Sequence, residues 1–229
     1  MPTYLIVGAS RGIGGATAAH LAQQGADILA VSRSPAPVGR WIQADIGTVS
    51  GIETVLQAAK AQPLDGLLFL GGVWEQGAFT PDYRFLDSPM EETLHMIAVN
   101  LTAPILLAQG LAQALSQAPA PRIVLMGSMS GLANTATKEV ANTATKFGLQ
   151  GAAEALNLSL RPLGIATTVI NPDNVATPEV EADIAQGLAG DQIPIPLADL
   201  TGTIDYVLGL SPHAVPSVIN LCQTKPDQG

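Results

Sequence analysis

The stretch that most restricts what this chain can fold into runs from Tyr4 to Gly14, Tyr-Leu-Ile-Val-Gly-Ala-Ser-Arg-Gly-Ile-Gly. A short apolar run, Leu5 to Val7, is stopped by Gly8. Glycines return at Gly12 and Gly14, and from Ala16 the chain carries Ala18, Leu21 and Ala22 at helical spacing. The pattern predicts a strand, a tight turn and a helix. Such a turn lets backbone approach a ligand closely, and the helix points free N–H groups and a positive dipole end at the same spot. Gly8, Ser10, Arg11, Gly12, Ile13 and Gly14 are therefore the candidate cradle for a pyrophosphate.

Alternating apolar runs and helical segments continue along the chain. Strands are expected over 26–32, 41–44, 64–70, 123–126, 165–170 and 217–222, with helices over about 49–61, 140–160 and 197–208 between them. A longer helix is expected from Ser88 as N-cap and Pro89 as first residue to about Gln117. Strands alternating with helices predict a doubly wound, Rossmann-type α/β domain with a parallel sheet, and 229 residues suit one such domain over 1–229.

Charge excludes some functions. Ten Lys and Arg against nineteen Asp and Glu leave a net charge of −9, without the basic patch that a nucleic-acid partner needs. The densest apolar run, Gly66 to Trp74, has strand length, so no membrane association is expected. His20, His95 and His213 are scattered and predict no metal site. One cysteine, Cys222, cannot form an internal disulfide and reads as a small buried side chain; a cytoplasmic location is expected.

The glycine spacing is Gly-x-x-x-Gly-x-Gly, and this loop resembles that of the short-chain dehydrogenase/reductase family. Further matches follow in order. Val99-Asn-Leu-Thr-Ala-Pro resembles the family's mid-helix asparagine segment, which places Asn100 at a local irregularity of the helix near Pro104 and makes it a candidate for holding a water in a proton relay. Gly127-Ser-Met-Ser-Gly131 resembles the strand end that carries the catalytic serine, here Ser128. The string Ala-Asn-Thr-Ala-Thr-Lys occurs twice, ending at Lys138 and at Lys146. Only the second copy has room for a loop after Ser128 and is followed by the family-like Phe147-Gly-Leu, so Lys146 corresponds to the catalytic lysine.

Four residues earlier, where the family's tyrosine stands, this chain has Asn142. Positions i and i+4 share one helical face, so Asn142 and Lys146 are expected to look toward the same ligand. An amide has no titratable proton near neutrality, although it can donate a hydrogen bond or hold a water. Among the other tyrosines, Tyr83 alone is placed to approach a substrate; it lies in the aromatic-rich connection 73–89, expected to form either a pocket wall or a subunit contact.

The resemblance also implies where a nicotinamide cofactor would lie. Gly71 and Gly72 end the fourth strand where the family has Asn-Asn-Ala-Gly, with Phe69 and Leu70 in place of the asparagines. Asp45, followed by Ile46, resembles the acid that meets the adenine; the alternative for Asp45 is a helix cap. Pro172-Asp-Asn-Val-Ala-Thr177 resembles the turn beside the nicotinamide, which assigns Val175 and Thr177 to the cofactor; Asp173 replaces a glycine and would be strained if φ there were positive. Residues 179–196 would form a short substrate lid. After the second strand an NAD enzyme would carry an acid on the ribose hydroxyl. Here Ser32 stands instead, Arg33 follows and Arg11 waits in the glycine loop, so two guanidiniums are available to a 2′-phosphate. NADP(H) is the expected cofactor, with a small-molecule carbonyl or alcohol as substrate and a homodimer or homotetramer through the two long helices. The alternative is a catalytically impaired NADP-binding sensor or interaction protein.

Overall fold

Five of the seven strands are largely buried, four of them mainly apolar and the fifth, Ala166–Pro172, mixed with Thr167, Thr168 and Asn171, the signature of a parallel sheet covered by helices on each side. A computed structural model describes residues 1–188 and 192–224. In chain order the strands are β1 (Thr3–Val7), β2 (Asp27–Ser32), β3 (Arg40–Gln43), β4 (Gly66–Phe69), β5 (Arg122–Met126), β6 (Ala166–Pro172) and β7 (Val218–Leu221). The helices are α1 (Gly12–Gln23), α2 (Val49–Ala59), α3 (Met90–Ile97), α4 (Ala103–Leu115), α5 (Val140–Ser159), α6 (Pro178–Ala185) and α7 (Leu197–Leu208).

All neighbouring strands pair in parallel, in the order β3-β2-β1-β4-β5-β6-β7. The order reverses between β1 and β4, and a crevice outside the carboxyl ends of strands at such a point is where ligands bind in doubly wound folds. Two apolar layers fill the space on either side. Leu107 and Leu111 of α4 and Leu149 and Ala153 of α5 lie against one face; Ala18 and Leu21 of α1 and Leu200 and Ile204 of α7 lie against the other. The helical run Met90–Leu115 has the length and hydropathy of a membrane span, yet its Leu107, Leu111 and Leu115 are wholly buried in this core.

Several boundaries depart from the sequence reading. The helix expected from Ser88 starts at Met90 with Pro89 in the N-cap position. The irregularity implied at Asn100 is there, as a π-turn over Ala98–Thr102 that separates α3 from α4 just before Pro104, whose missing N–H frees a backbone carbonyl. Asp45 does not cap α2. Thr48 does, accepting from the Gly51 N–H, while Asp45 Oδ1 accepts the Gly47 N–H at 3.0 Å. Phe69 and Leu70, standing where the resemblance has asparagines, are buried in the core. Asp173 is not among the residues with positive φ, so that turn carries no such strain. Cys222, expected to be buried, is exposed just beyond β7. Of the expected lid, 179–185 lie in α6 (Pro178–Ala185), and 189–191 fall outside the described residues.

Candidate active site

The glycine turn is built by close backbone approach. A Cβ on Gly14 would lie 2.3 Å from the Gly8 carbonyl oxygen, and one on Gly8, whose φ is +88, would lie 2.5 Å from Gly71 Cα. The ends of β1 and β4 thus touch through Gly8 and Gly71 at the point where strand order reverses. α1 starts beyond this turn with no side chain capping it and no acid in its first turn. Its N-terminal N–H groups are left for an anion, and the residues present fit a dinucleotide phosphate.

Around this turn the expected cofactor residues take different positions. Ser32 is buried and its hydroxyl donates to the Ser34 carbonyl at 2.7 Å, whereas Arg33 is exposed. Arg11 Nε lies 3.1 Å from Glu179 Oε1 of α6. Asp45 is exposed, and Ile46 packs on the core. Val175 is buried and bridges to Ile195, while Thr177 caps α6 by accepting the Val180 N–H. Ser10 is half-buried in the turn, and the carbonyl of Ile13 accepts the Thr17 hydroxyl at 2.8 Å.

Ser128 and Lys146 come together at the carboxyl end of β5. Lys146, 8% exposed, donates from Nζ to the Met126 carbonyl at 2.9 Å, two residues before Ser128. A Cβ on Gly72 would be 4.0 Å from the same Nζ and 3.4 Å from Asn100 Oδ1, so the ammonium lies between the ends of β4 and β5. Burial lowers the Lys146 pKa from 10.5 to about 8. Ser128 Oγ accepts from the Ser130 N–H at 3.2 Å and the Ser130 hydroxyl at 3.0 Å, and donates to no described residue. Its N–H donates to Asn171 Oδ1 at 3.2 Å; the buried Asn171 also accepts from Gln150 at 2.7 Å and donates to Asn220 at 3.0 Å. This bridge fixes the strand end that carries Ser128.

Asn100 sits in the π-turn, and both ends of its amide are used on one residue. Oδ1 accepts the Val73 N–H at 3.0 Å and Nδ2 donates to the Val73 carbonyl at 2.8 Å. The side chain braces the root of the 73–89 connection, so any water there would have to find other partners.

Asn142 lies on α5 one turn before Lys146 and is only 1% exposed. The 73–89 connection covers it. Glu75, 5% exposed, accepts the Asn142 backbone N–H on Oε1 at 3.0 Å, and Glu139 Oε1 accepts the Phe79 N–H at 2.8 Å. The loop's acid thereby caps the helix, and the acid at the helix start caps the loop. For Glu139, burial alone would raise the pKa, but bonds from the Phe79 N–H, Thr137 and its own backbone, with Lys138 nearby, carry it below the usual value. Glu75 Oε2, Asn142 Oδ1 and the Tyr83 hydroxyl are buried without a hydrogen-bond partner. Tyr83 is thus turned inward rather than toward solvent. Lys138 is exposed in the loop ahead of α5. Glu75, Glu139 and Asn171 had no signal in the sequence, because each works through a partner far away in it.

The model of the short chain dehydrogenase family matches residues 2–187. Among curated proteins, the short chain dehydrogenase adrF of Penicillium rubens is 33% identical over 187 residues, covering 78% of this chain and 71% of that one. Among solved structures, ElxO with NADP bound superposes with a TM-score of 0.83 at 15% identity, covering 96% of this chain and 97% of that one. The 3-alpha-hydroxysteroid dehydrogenase of a Pseudomonas species, complexed with NADH, gives 0.79 at 21%, covering 96% and 95%. On the family match, the adrF relative and the seven-stranded parallel sheet, this chain belongs to the short-chain dehydrogenase/reductase family of oxidoreductases.

Proposed function

We propose that the protein is an NADP(H)-dependent oxidoreductase interconverting a small-molecule carbonyl and alcohol. The observation that carries this reading is the Ser128 hydroxyl, which accepts two hydrogen bonds, keeps its own proton undonated, and shares a strand end with the Lys146 ammonium. A hydroxyl held this way donates to a substrate oxygen as negative charge builds on it. When bound, NADPH would supply a hydride; Gly8, Ser10, Gly12, Ile13 and Gly14 would hold its pyrophosphate, Arg11 and Arg33 its 2′-phosphate, Asp45 and Ile46 its adenine, and Gly71, Gly72, Lys146, Val175 and Thr177 its nicotinamide half. Proton supply falls to Lys146, because Asn142 has no proton to give and a lysine with a pKa of about 8 exchanges one near neutrality. Asn142 contributes through its amide, by a hydrogen bond or a held water. Stopped-flow absorbance at 340 nm, with bound NADPH against aldehydes, ketones and quinones, tests this directly.

A second reading, an NADP-binding sensor or interaction protein with impaired catalysis, is favoured by the burial of Asn142 beneath the 73–89 connection. The two separate in Asn142→Tyr. A large gain of activity where none existed supports impairment; no gain, or a loss, supports a role for the asparagine.

We also infer that a second copy of the chain covers the exposed apolar stripe of Met90, Leu94, Ile97 and Ile105 beside Val140 and Phe147, giving a homodimer or homotetramer. Light scattering should return at least twice the chain mass of 23.5 kDa. The exposed thiol of Cys222 suits a reducing compartment such as the cytoplasm.

A further inference from the structure

Two helix N-termini meet at the glycine turn. A Cβ on Gly12, the first residue of α1, would lie 3.8 Å from Thr177 Cγ2 and 4.0 Å from Glu179 Oε2, at the start of α6. The other oxygen of the same carboxylate is the one 3.1 Å from Arg11 Nε. Glu179 therefore places one oxygen on the guanidinium and the other over the turn, where the α1 dipole favours an anion. The Arg11 guanidinium makes no other hydrogen bond or ion pair among the described residues. Glu179 is thus its one partner among the described residues, through Nε alone.

We infer that Glu179 sets cofactor selectivity by sharing Arg11 with the 2′-phosphate of NADP(H), which rests on the NADP(H) reading above. A 2′-phosphate held by Arg11 Nη1 and Nη2 would share one guanidinium with the carboxylate on Nε, and the charge of Glu179 would weaken that contact. NAD(H) has no 2′-phosphate and makes no such contact. Repulsion between Glu179 and a pyrophosphate acts on both cofactors alike and cancels in the ratio of their affinities. Glu179 thus holds the preference for NADP(H) below what Arg11 and Arg33 would give by themselves.

Titration calorimetry of NADPH and NADH against the full chain tests this in four proteins: wild type, Glu179→Gln, Arg11→Ala and the double variant. Both side chains are exposed, and Thr177 rather than Glu179 caps α6, so the variants should keep the fold, as circular dichroism would verify. Glu179→Gln is expected to raise the NADPH-to-NADH affinity ratio two- to fivefold, the size that an exposed ion pair of up to about 1 kcal/mol corresponds to. In the Arg11→Ala background the same substitution is expected to leave the ratio unchanged. A wild-type preference for NADPH that Glu179→Gln does not alter overturns this role for Glu179 alone, as does an equal rise without Arg11. Wild-type protein that binds neither cofactor removes the NADP(H) reading and this inference together.

Discussion

Arg122 and Lys146 are buried cations tied to opposite ends of one strand, and neither has an acidic partner within ion-pair distance among the described residues. Arg122 begins β5 and spends its fork on structure. Nη1 donates to the Ala214 carbonyl at 2.8 Å, and Nη2 donates to those of Leu210 at 2.8 Å and Ser211 at 2.6 Å, tying the strand to the segment after α7. Lys146 reaches the last residue of β5 and makes a single bond, to Met126. Burial lowers the pKa of both, but a guanidinium keeps its proton where a lysine at about 8 gives it up. Both Nη groups of Arg122 are spent on carbonyls and its Nε is buried without a partner, so the side chain ties strand to segment; Lys146 has two of its three ammonium donors in reserve.

The largest separation between them is expected in the exchange of roles on substitution. Lys146→Met should lower NADPH-dependent turnover by about 10²- to 10⁴-fold, the usual contribution of an acid or base, while leaving thermal stability at pH 7 equal or higher. In the reductive direction, wild-type turnover should fall as pH rises through about 8, where Lys146 loses its proton. A flat profile from pH 6 to 9 would take proton supply away from Lys146.

Stability should show the same lysine with a definite sign. Below pH 8 Lys146 is protonated both folded and unfolded, and its burial destabilises the fold in full. Between about 8 and 10.5 the unfolded chain holds the additional proton, so stability rises with pH across that window by an amount on the order of 3 kcal/mol. Tyr4, raised by burial, Asp65 and Asp205, acts in the opposite sense above pH 10. Urea melts of wild type and Lys146→Met should therefore differ by a term that shrinks from pH 8 to 10.5.

Next in size is Arg122→Ala. It removes three hydrogen bonds from a charged, buried donor and should cost about 2–4 kcal/mol, or roughly 5–15 °C in Tm, with cofactor affinity of the folded fraction unchanged. Calorimetry that found no loss would show that the amino end of β5 does not depend on this residue. Arg33→Ala should weaken NADPH about tenfold relative to NADH, as expected for one charge-assisted contact to phosphate. The smallest effect belongs to the loop. Glu75→Ala should cost about 1 kcal/mol by uncapping α5, and Glu75→Gln less because an acceptor remains. Proteolysis within 73–89 should quicken in the alanine variant.

What could be read from the sequence was local. Gly8 to Gly14 announce a turn through their own backbone needs, Pro104 and Asn100 mark an irregular helix, and the room required after Ser128 separates Lys146 from Lys138. The missed features join distant segments. Glu75 is one acid in an aromatic loop until it meets the Asn142 N–H 67 positions away, and Arg122 looks like a surface residue until its carbonyl partners near 210–214 come beneath it. Arg11 shows the same limit. Its candidacy for a phosphate came from the absent acid after β2, whereas its pairing with Glu179 depends on how α6 is set against α1. The burial of Asn142 was likewise invisible, because helical spacing gives the face a residue occupies and not what lies over it.

The most direct measurement is titration calorimetry of the wild-type protein with NADPH and with NADH, followed by absorbance at 340 nm as the NADPH complex meets the carbonyl panel. The expected result is tighter binding of NADPH than of NADH, and loss of absorbance with at least one carbonyl. Tight NADPH binding with no oxidation by any carbonyl would contradict the reductase and leave the sensor; failure to bind either cofactor would contradict the assignment of the glycine turn and the two arginines.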